Sequence, residues 1–125
     1  MQTLKVVLPL PPKELSPNAR VHWGRKARAV KRYRLVASAA TEGALVEAGR
    51  PDAAWEATSL QIFLFNRTRH RRDPDNLLAA MKSAFDGIAD ALGVDDARWI
   101  HLPPVQEKDP DPRVEIRVNY LPSTK

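Results

Sequence analysis

Residues 59–93 read SLQIFLFNRTRHRRDPDNLLAAMKSAFDGIADALG and contain two periodic segments joined by a charged connection. Alternating aromatic and aliphatic side chains over residues 59–65 predict a β-strand. Apolar residues then recur at spacings of three and four, which predicts a helix over residues 74–92 that ends at Gly93. A strand therefore leads into a helix through a connection that holds four arginines and Asp73, and Asp75 follows in the first turn of the helix.

The segments on either side of this stretch add three strands and one helix. Residues 3–10, TLKVVLPL, are β-branched and predict a first strand that is ended by prolines. A loop follows, and the apolar spacing over residues 25–48 predicts a long helix. Its apolar stripe is Val30, Tyr33, Ala37, Ala40, Ala44 and Ala48. Residues 99–108 and 113–121 predict the last strands, with the turn at residues 109–112 placed to pair them.

The predicted order is strand, helix, strand, helix, strand, strand. We expect an α/β (α+β mixed) fold, with one small sheet of about four strands and two main helices packed on it. A chain of 125 residues has the length of one domain, so residues 1–125 are predicted to form a single domain.

The composition narrows the classes of protein to which the chain can belong. No cysteine is present, which excludes disulfides and thiolate zinc sites, and the three histidines are scattered along the chain. No apolar run approaches the roughly 20 residues that a membrane helix needs. The N-terminus lacks the pattern of a signal peptide. Together these features predict a cytoplasmic protein without a membrane partner.

The charge is distributed in blocks along the chain. The formal net charge is +5, and such a balance favours an anionic partner, with nucleic acid first. No acid lies between Glu14 and Glu42, whereas seven bases do, and six aspartates then fall between Asp73 and Asp96. The alternative is that the basic and acidic surfaces of the chain pair with each other.

The motif RRDPDN, residues 71–76, has two explanations. Asp73 before a proline is a favourable N-cap, and Asp75 then lies in the first helical turn, where the helix dipole favours a negative charge. In the other explanation the two carboxylates bind a divalent metal such as Mg²⁺, which takes oxygen ligands together with water and substrate phosphate. The neighbouring arginines would then bind the phosphates of a nucleic acid.

Three segments together resemble the RusA family of Holliday junction resolvases. They are RRDPDN, KSAFD at residues 82–86 and GVDDA at residues 93–97, and residues 8–34 also resemble the beginning of phage-type members. The resemblance implies a homodimeric, Mg²⁺-dependent endonuclease, in which Mn²⁺ can replace Mg²⁺. Such an enzyme resolves four-way DNA junctions by paired symmetric nicks in recombination and repair.

The resemblance also implies roles for particular residues. The catalytic set would be Asp73, Asp75, Asp96 and Lys82, and the metal ligands would be Asp73, Asp75, Asp95 and Asp96. The blocks of basic charge, and not the resemblance, predict the DNA-binding set, which is Arg67, Arg69, Arg71, Arg72, Arg25, Lys26 and Lys31. The family pattern has a lysine four residues after the second aspartate, where this chain has Ala79. Either Lys82 acts from one turn further along the helix, or KSAFD aligns with the family's lysine segment and extra residues precede it.

Two other functions compete with the nuclease. The chain can be a non-catalytic protein that binds branched or duplex DNA, with its aspartates serving only as caps. It can also be a structural or regulatory protein that binds another protein through the helix at residues 25–48. Metal-dependent nicking would distinguish the nuclease from both alternatives. DNA affinity that falls with salt would distinguish the DNA-binding protein from the protein that binds another protein.

Overall fold

A computed structural model describes residues 1–68 and 71–123 of the chain and shows a mixed α/β fold. The helices are α1 (Trp23–Glu47), α2 (Pro74–Ala80) and α3 (Lys82–Leu92). The strands are β1 (Gln2–Leu8), β2 (Ser59–Asn66), β3 (Ile100–His101), β4 (Val105–Lys108) and β5 (Arg113–Tyr120). The predicted fold class is therefore confirmed, with five strands and three α-helices in place of about four strands and two main helices.

Strand β5 lies inside the sheet between β1 and β2, and it runs antiparallel to both. Strands β3 and β4 pair in parallel with the other edge of β2. The proposed pairing of the last two strands through the turn at residues 109–112 is therefore wrong, because β2 separates β4 from β5. Across the three adjacent strands β1, β5 and β2, Val6, Ile116 and Ile62 stand in register and are fully or almost fully buried.

The segment predicted as one strand over residues 99–108 forms two short strands. Pro103 and Pro104 lie between them, and a proline has no backbone N–H to donate to a strand ladder. The two prolines therefore account for the interruption. Its consequence is that β3 and β4 each pair with a different part of β2, which accounts for the fifth strand.

The helix predicted over residues 74–92 is broken at Met81 into α2 and α3. Met81 has φ −94° and ψ 0°, and its N–H is shared between the carbonyls of Leu77 at 3.1 Å and Leu78 at 3.2 Å. The side chain of Met81 is fully buried, and its sulfur lies 3.6 Å from the Tyr33 hydroxyl. This contact with α1 is tertiary, so no local sequence signal marks the break.

Helices α1 and α3 pack against each other along the face of α1 that contains Tyr33 and Ala37. The predicted apolar stripe of α1 is buried at these two residues but exposed at Val30 and Ala48, because the buried face follows Ala29, Tyr33, Ala37, Thr41 and Leu45. Close approach depends on Gly87 in α3, where a Cβ atom would lie only 2.1 Å from the carbonyl oxygen of Arg34.

Helix α3 ends as the sequence predicts. Gly93 adopts the left-handed conformation with φ 72°, and the N–H of Val94 bonds to the carbonyl of Ala89 at 3.1 Å. The chain then turns back along α3 toward the sheet. None of the helices in the described part of the chain is long and apolar enough to span a membrane.

Candidate active site

Asp73 and Asp75 lie together at the beginning of α2, and both side chains are exposed. Asp73 caps the helix, since its Oδ1 accepts from the N–H groups of Asp75 at 2.9 Å and Asn76 at 3.1 Å. The prediction of an N-cap at Asp73 is thus confirmed. The carboxylate of Asp75 forms no hydrogen bond or ion pair with any residue in the described ranges 1–68 and 71–123, which leaves it open to a ligand.

The segment before the aspartates is fixed by Gln106 of β4. The N–H of Arg72 donates to Oε1 of Gln106 at 2.8 Å, and Nε2 of Gln106 donates to the carbonyl of Arg72 at 2.8 Å. One side chain thereby forms the pair of hydrogen bonds that a neighbouring strand would form. The aspartate pair is therefore held at the β4 edge of the sheet.

The arginines beside the aspartates do not neutralise them. Neither Arg71 nor Arg72 forms an ion pair with Asp73 or Asp75 in the part of the chain that the structure describes. The Arg72 guanidinium acts instead on Tyr33, where burial raises the pKa of the hydroxyl and the nearby arginine opposes that rise. In the described part of the chain, the two carboxylates are therefore not paired with the arginines that precede them.

A cleft of about 330 Å³ opens beside Asp73. Its basic lining comes from Lys13, Arg71 and Arg72, and Ser16 and Asn76 add polar groups. Lys13 was not among the predicted site residues, because it lies in the loop after β1 and no motif connects it with the aspartates. The cleft therefore places three cationic side chains beside one carboxylate.

Lys82 binds two other carboxylates. Its ammonium donates to Oδ1 of Asp86 at 2.8 Å and to Oδ2 of Asp96 at 3.2 Å. The hydrogen bond that Lys82 donates to Asp86 is the main cause that raises the pKa of Lys82, and Asp96 contributes to the same rise. The pairing of Lys82 with Asp86 follows from their spacing of four residues along one helix, whereas the contact of Lys82 with Asp96 results from the return of the chain after Gly93.

The predicted metal ligands form two separate groups within one chain. Asp95 accepts from the N–H of Ala97 at 2.9 Å and caps the 3₁₀ turn at Asp96–Arg98, while Asp96 is held by Lys82. Within residues 1–68 and 71–123, no group of three or more His, Asp or Glu side chains is arranged to hold a metal ion. The structure brings Asp73 next to Asp75 and Asp96 next to Lys82.

Some of the aspartates between Asp73 and Asp96 pair with basic residues of the same chain. The alternative that basic and acidic surfaces pair with each other is therefore confirmed for these aspartates. Arg34 of α1 contacts Asp90 of α3 with two hydrogen bonds of 2.7 and 2.9 Å. These bonds lower the pKa of Asp90. Together with the Lys82–Asp86 contact, they show that the acids along α3 have structural partners, in contrast to Asp75.

The predicted DNA-binding residues differ in their surroundings. Arg25 lies 3.5 Å from Glu14, and Arg67 donates to the carbonyl of Pro110 at 3.3 Å. Lys26 and Lys31 are exposed and form no ion pair with the described residues, and Arg71 is exposed on the cleft. Arg69 lies outside the described residues. DNA binding by this set stays a prediction.

The sequence did not single out His101 of β3, which lies near Asp96 and Lys82. Its ring centroid lies 4.6 Å from that of Phe85. Burial lowers the pKa of His101, Asp96 opposes this, and Lys82 lowers the pKa further. No sequence signal identifies this histidine, because β3 is too short to show a pattern and the contact with Phe85 is tertiary.

The fold and the site define a mixed α/β domain with an exposed aspartate pair beside a basic cleft. No family model matches the sequence. The chain is 42% identical over 115 residues to an uncharacterized protein of Xylella fastidiosa, a match that covers 86% of this chain and 69% of that protein. The chain belongs to the same family as this Xylella protein.

Proposed function

We propose that the chain is a Mg²⁺-dependent, structure-selective endonuclease that cuts four-way DNA junctions by paired nicks, in the cytoplasm, during recombination and repair. This is the activity of the RusA family, which the sequence resembles. The observation that carries the proposal is the exposed pair Asp73 and Asp75, in which Asp75 has no partner among the described residues, next to a cleft lined by basic side chains.

The aspartate pair fits a magnesium ion, because Mg²⁺ is commonly bound by one or two carboxylates together with waters and substrate phosphate. Asp73 uses Oδ1 for both of its capping bonds, and Asp75 makes no bond with a described side chain. When bound, Mg²⁺ or Mn²⁺ would neutralise the phosphodiester and lower the pKa of a coordinated water. Asp95 and Asp96 do not fit the same site within one chain, since Asp96 is held by Lys82.

The residues around the pair have roles that follow from their charge and position. Arg71, Arg72 and Lys13 line the cleft beside Asp73 and would hold the phosphates that flank the scissile bond. Gln106 fixes the backbone that carries both the arginines and the aspartates. Lys82 would support the acidic group of Asp86 and Asp96, and Ala79 supplies no charge at the position where the family has a lysine.

A homodimer is part of the proposal, because two coordinated nicks in a junction with approximate two-fold symmetry need two active sites. An exposed apolar line on α1 supports it. Leu35 is 63% exposed and Val46 is 59% exposed, and Ala39 lies between them on the same helix face. Apolar residues in such a line are suited to contact a second copy of the chain.

The alternative is a non-catalytic protein that binds branched or duplex DNA. The capping role of Asp73 and the engagement of Asp96 by Lys82 favour it, since both are complete structural explanations that require no chemistry. In this alternative the cleft and the exposed bases supply the affinity, and the aspartates contribute only to folding.

The test is nicking of a synthetic four-way junction by Asp75→Asn, with and without Mg²⁺ or Mn²⁺. The substitution removes a charge but keeps the shape of the side chain, so nicking should fall by orders of magnitude while junction binding persists or tightens. Asp111→Asn is the matched control, because it removes the charge of an exposed aspartate in the turn at residues 109–112.

Two outcomes would count against the proposal. A folded Asp75→Asn protein that cuts at the parent rate would remove this residue from the active site. A parent protein that binds junctions with steep salt dependence, but nicks none with either metal, would favour the non-catalytic binder.

A further inference from the structure

Trp23 is exposed in a way that the other two tryptophans are not. It is 79% exposed, whereas Trp55 is 8% exposed and Trp99 is 7% exposed. A large aromatic side chain placed almost entirely in water is accessible to a ligand, and its neighbours decide whether it forms a binding surface. Neither the aspartate pair nor the proposed role of the cleft involves Trp23.

The ring of Trp23 is held in place by its neighbour His22. Nδ1 of His22 accepts from the N–H of Gly24 at 3.1 Å and caps α1. The imidazole fixed in this way lies 5.4 Å from the Trp23 ring, at an angle of 31°. An aromatic surface supported on one side loses little conformational freedom when a ligand binds on the other side.

The charges near Trp23 favour an anionic partner. Arg20, Arg25, Lys26 and Arg28 all lie within five residues of Trp23 and are exposed. In the described part of the chain, Arg25 pairs with Glu14, whereas Arg20, Lys26 and Arg28 form no ion pair. A second copy that covered the same surface would bring these cations together, which is unfavourable.

We propose that Trp23 stacks on an unpaired base of branched or single-stranded DNA. Proteins that bind unpaired nucleic acid combine cations for the backbone with aromatic rings for the bases, and both are present at the beginning of α1. This inference rests on the proposed function for its DNA partner. It deepens that function by assigning recognition of unpaired bases, because in an intact duplex the faces of the bases are covered by their neighbours.

The first experiment uses the intrinsic fluorescence of the whole chain, without divalent metal. A single-stranded oligonucleotide and a duplex of the same length are added in turn. Trp55 and Trp99 are buried, and Nε1 of Trp99 donates to the carbonyl of Trp55 at 2.6 Å, so a change caused by direct stacking reports on Trp23. We expect the single strand to quench emission more than the duplex does, and Trp23→Phe to remove the quenching.

The second experiment measures affinity. Trp23→Ala should weaken binding of the single strand by about tenfold or more and should affect the duplex much less. Trp23→Phe should retain part of the affinity, because a smaller ring can still stack. Leu121→Ala is the matched control, since it removes another exposed apolar side chain, one that lies outside α1 and its apolar line.

Several results would overturn the inference. Stacking is excluded if single-stranded DNA binds without quenching the parent protein and with unchanged affinity for Trp23→Ala. A loss of affinity that appears only because Trp23→Ala dissociates a dimer, as seen by sedimentation, would assign Trp23 to a contact between copies. Absence of any nucleic-acid binding would reject both this inference and the proposed function.

The two proposals can fail separately. Quenching by single-stranded DNA in a protein that nicks no junction would reject the nuclease and support stacking. Nicking by Trp23→Ala at the parent rate, together with unchanged affinity for single-stranded and branched DNA, would reject stacking and leave the nuclease intact.

Discussion

Gly87 is the residue on which the packing of α3 against α1 depends, and Gly87→Ala tests this packing directly. A Cβ atom at this position would lie 2.1 Å from the carbonyl oxygen of Arg34 and 3.0 Å from Cβ of Ala37. A carbon atom and a carbonyl oxygen in contact are normally separated by about 3.3 Å or more. The two helices would have to move apart by about 1 Å, and the obstructing atom is backbone, so no side-chain rotation relieves the contact.

The expected loss combines two opposing effects. Overpacking of a core typically costs about 1–3 kcal/mol, whereas replacing a helical glycine by alanine contributes about 1 kcal/mol in favour of the helix. Because the clash is with backbone, we expect a cost at or above the upper end of the range. The net free energy of unfolding should fall by about 2 kcal/mol, which corresponds to a decrease in Tm of roughly 8 °C for a domain of this size.

The assay is urea unfolding of the parent protein, Gly87→Ala and the control Gly43→Ala. Gly43 also lies in a helix, but a Cβ atom there would have no neighbour within 4 Å. Gly43→Ala should therefore raise the free energy of unfolding by about 0.5–1 kcal/mol. If Gly87→Ala proves as stable as the parent protein, the close approach of the two helices is not as described and the reasoning is refuted.

The remaining predictions concern the charged groups. Lys82→Ala should reduce nicking less than Asp75→Asn does, and it should lower stability by only about 0.5 kcal/mol, because the ion pairs of Lys82 are exposed; an equal loss of nicking would assign Lys82 to the chemistry. Arg71→Ala should weaken junction binding and reduce the salt slope by about 1, whereas Arg50→Ala, an exposed arginine after α1, should not; equal slopes would place the DNA elsewhere. The folded protein holds the pKa of His101 below its ordinary value of 6.5, so the unfolded chain binds more protons and stability should fall as the pH drops below about 6.5. His101→Gln should flatten that dependence in urea unfolding between pH 5 and pH 8, and an unchanged pH profile would contradict it.

The strands could be predicted where the pattern is local and not where pairing is decided by distant segments. Alternation identified β1, β2 and β5 to within two residues at each end. The position of β5 between β1 and β2 depends on backbone pairing with two strands that are distant in the sequence. The short turn at residues 109–112 suggested a hairpin that the sheet does not contain. Strand order is a non-local property, and a single sequence carries little information about it.

The same distinction holds for the site. The cap at Asp73 was predicted from its place before a proline, and the Lys82–Asp86 pair follows from spacing along a helix. The contact between Lys82 and Asp96 requires the return of the chain after α3, and the position of Lys13 on the cleft requires the loop after β1 to pack near α2. Neither follows from spacing. Asp75 lies in α2 and Lys82 lies in α3, with the break at Met81 between them. Their spacing of seven residues therefore does not place them on the same face of a single helix.

The capping role of Asp73 does not compete with a role as a metal ligand. Both capping bonds are accepted by Oδ1, and Oδ2 forms no hydrogen bond with the described residues. A carboxylate fixed by two backbone N–H groups has already lost its rotamer freedom, so binding a cation costs it little further entropy. The N–H of Asp75 donates one of these bonds, which ties the backbone of the second aspartate to the carboxylate of the first. The local rule that explains Asp73 therefore also explains why two exposed aspartates lie together at the beginning of α2, where the proposed cation would bind.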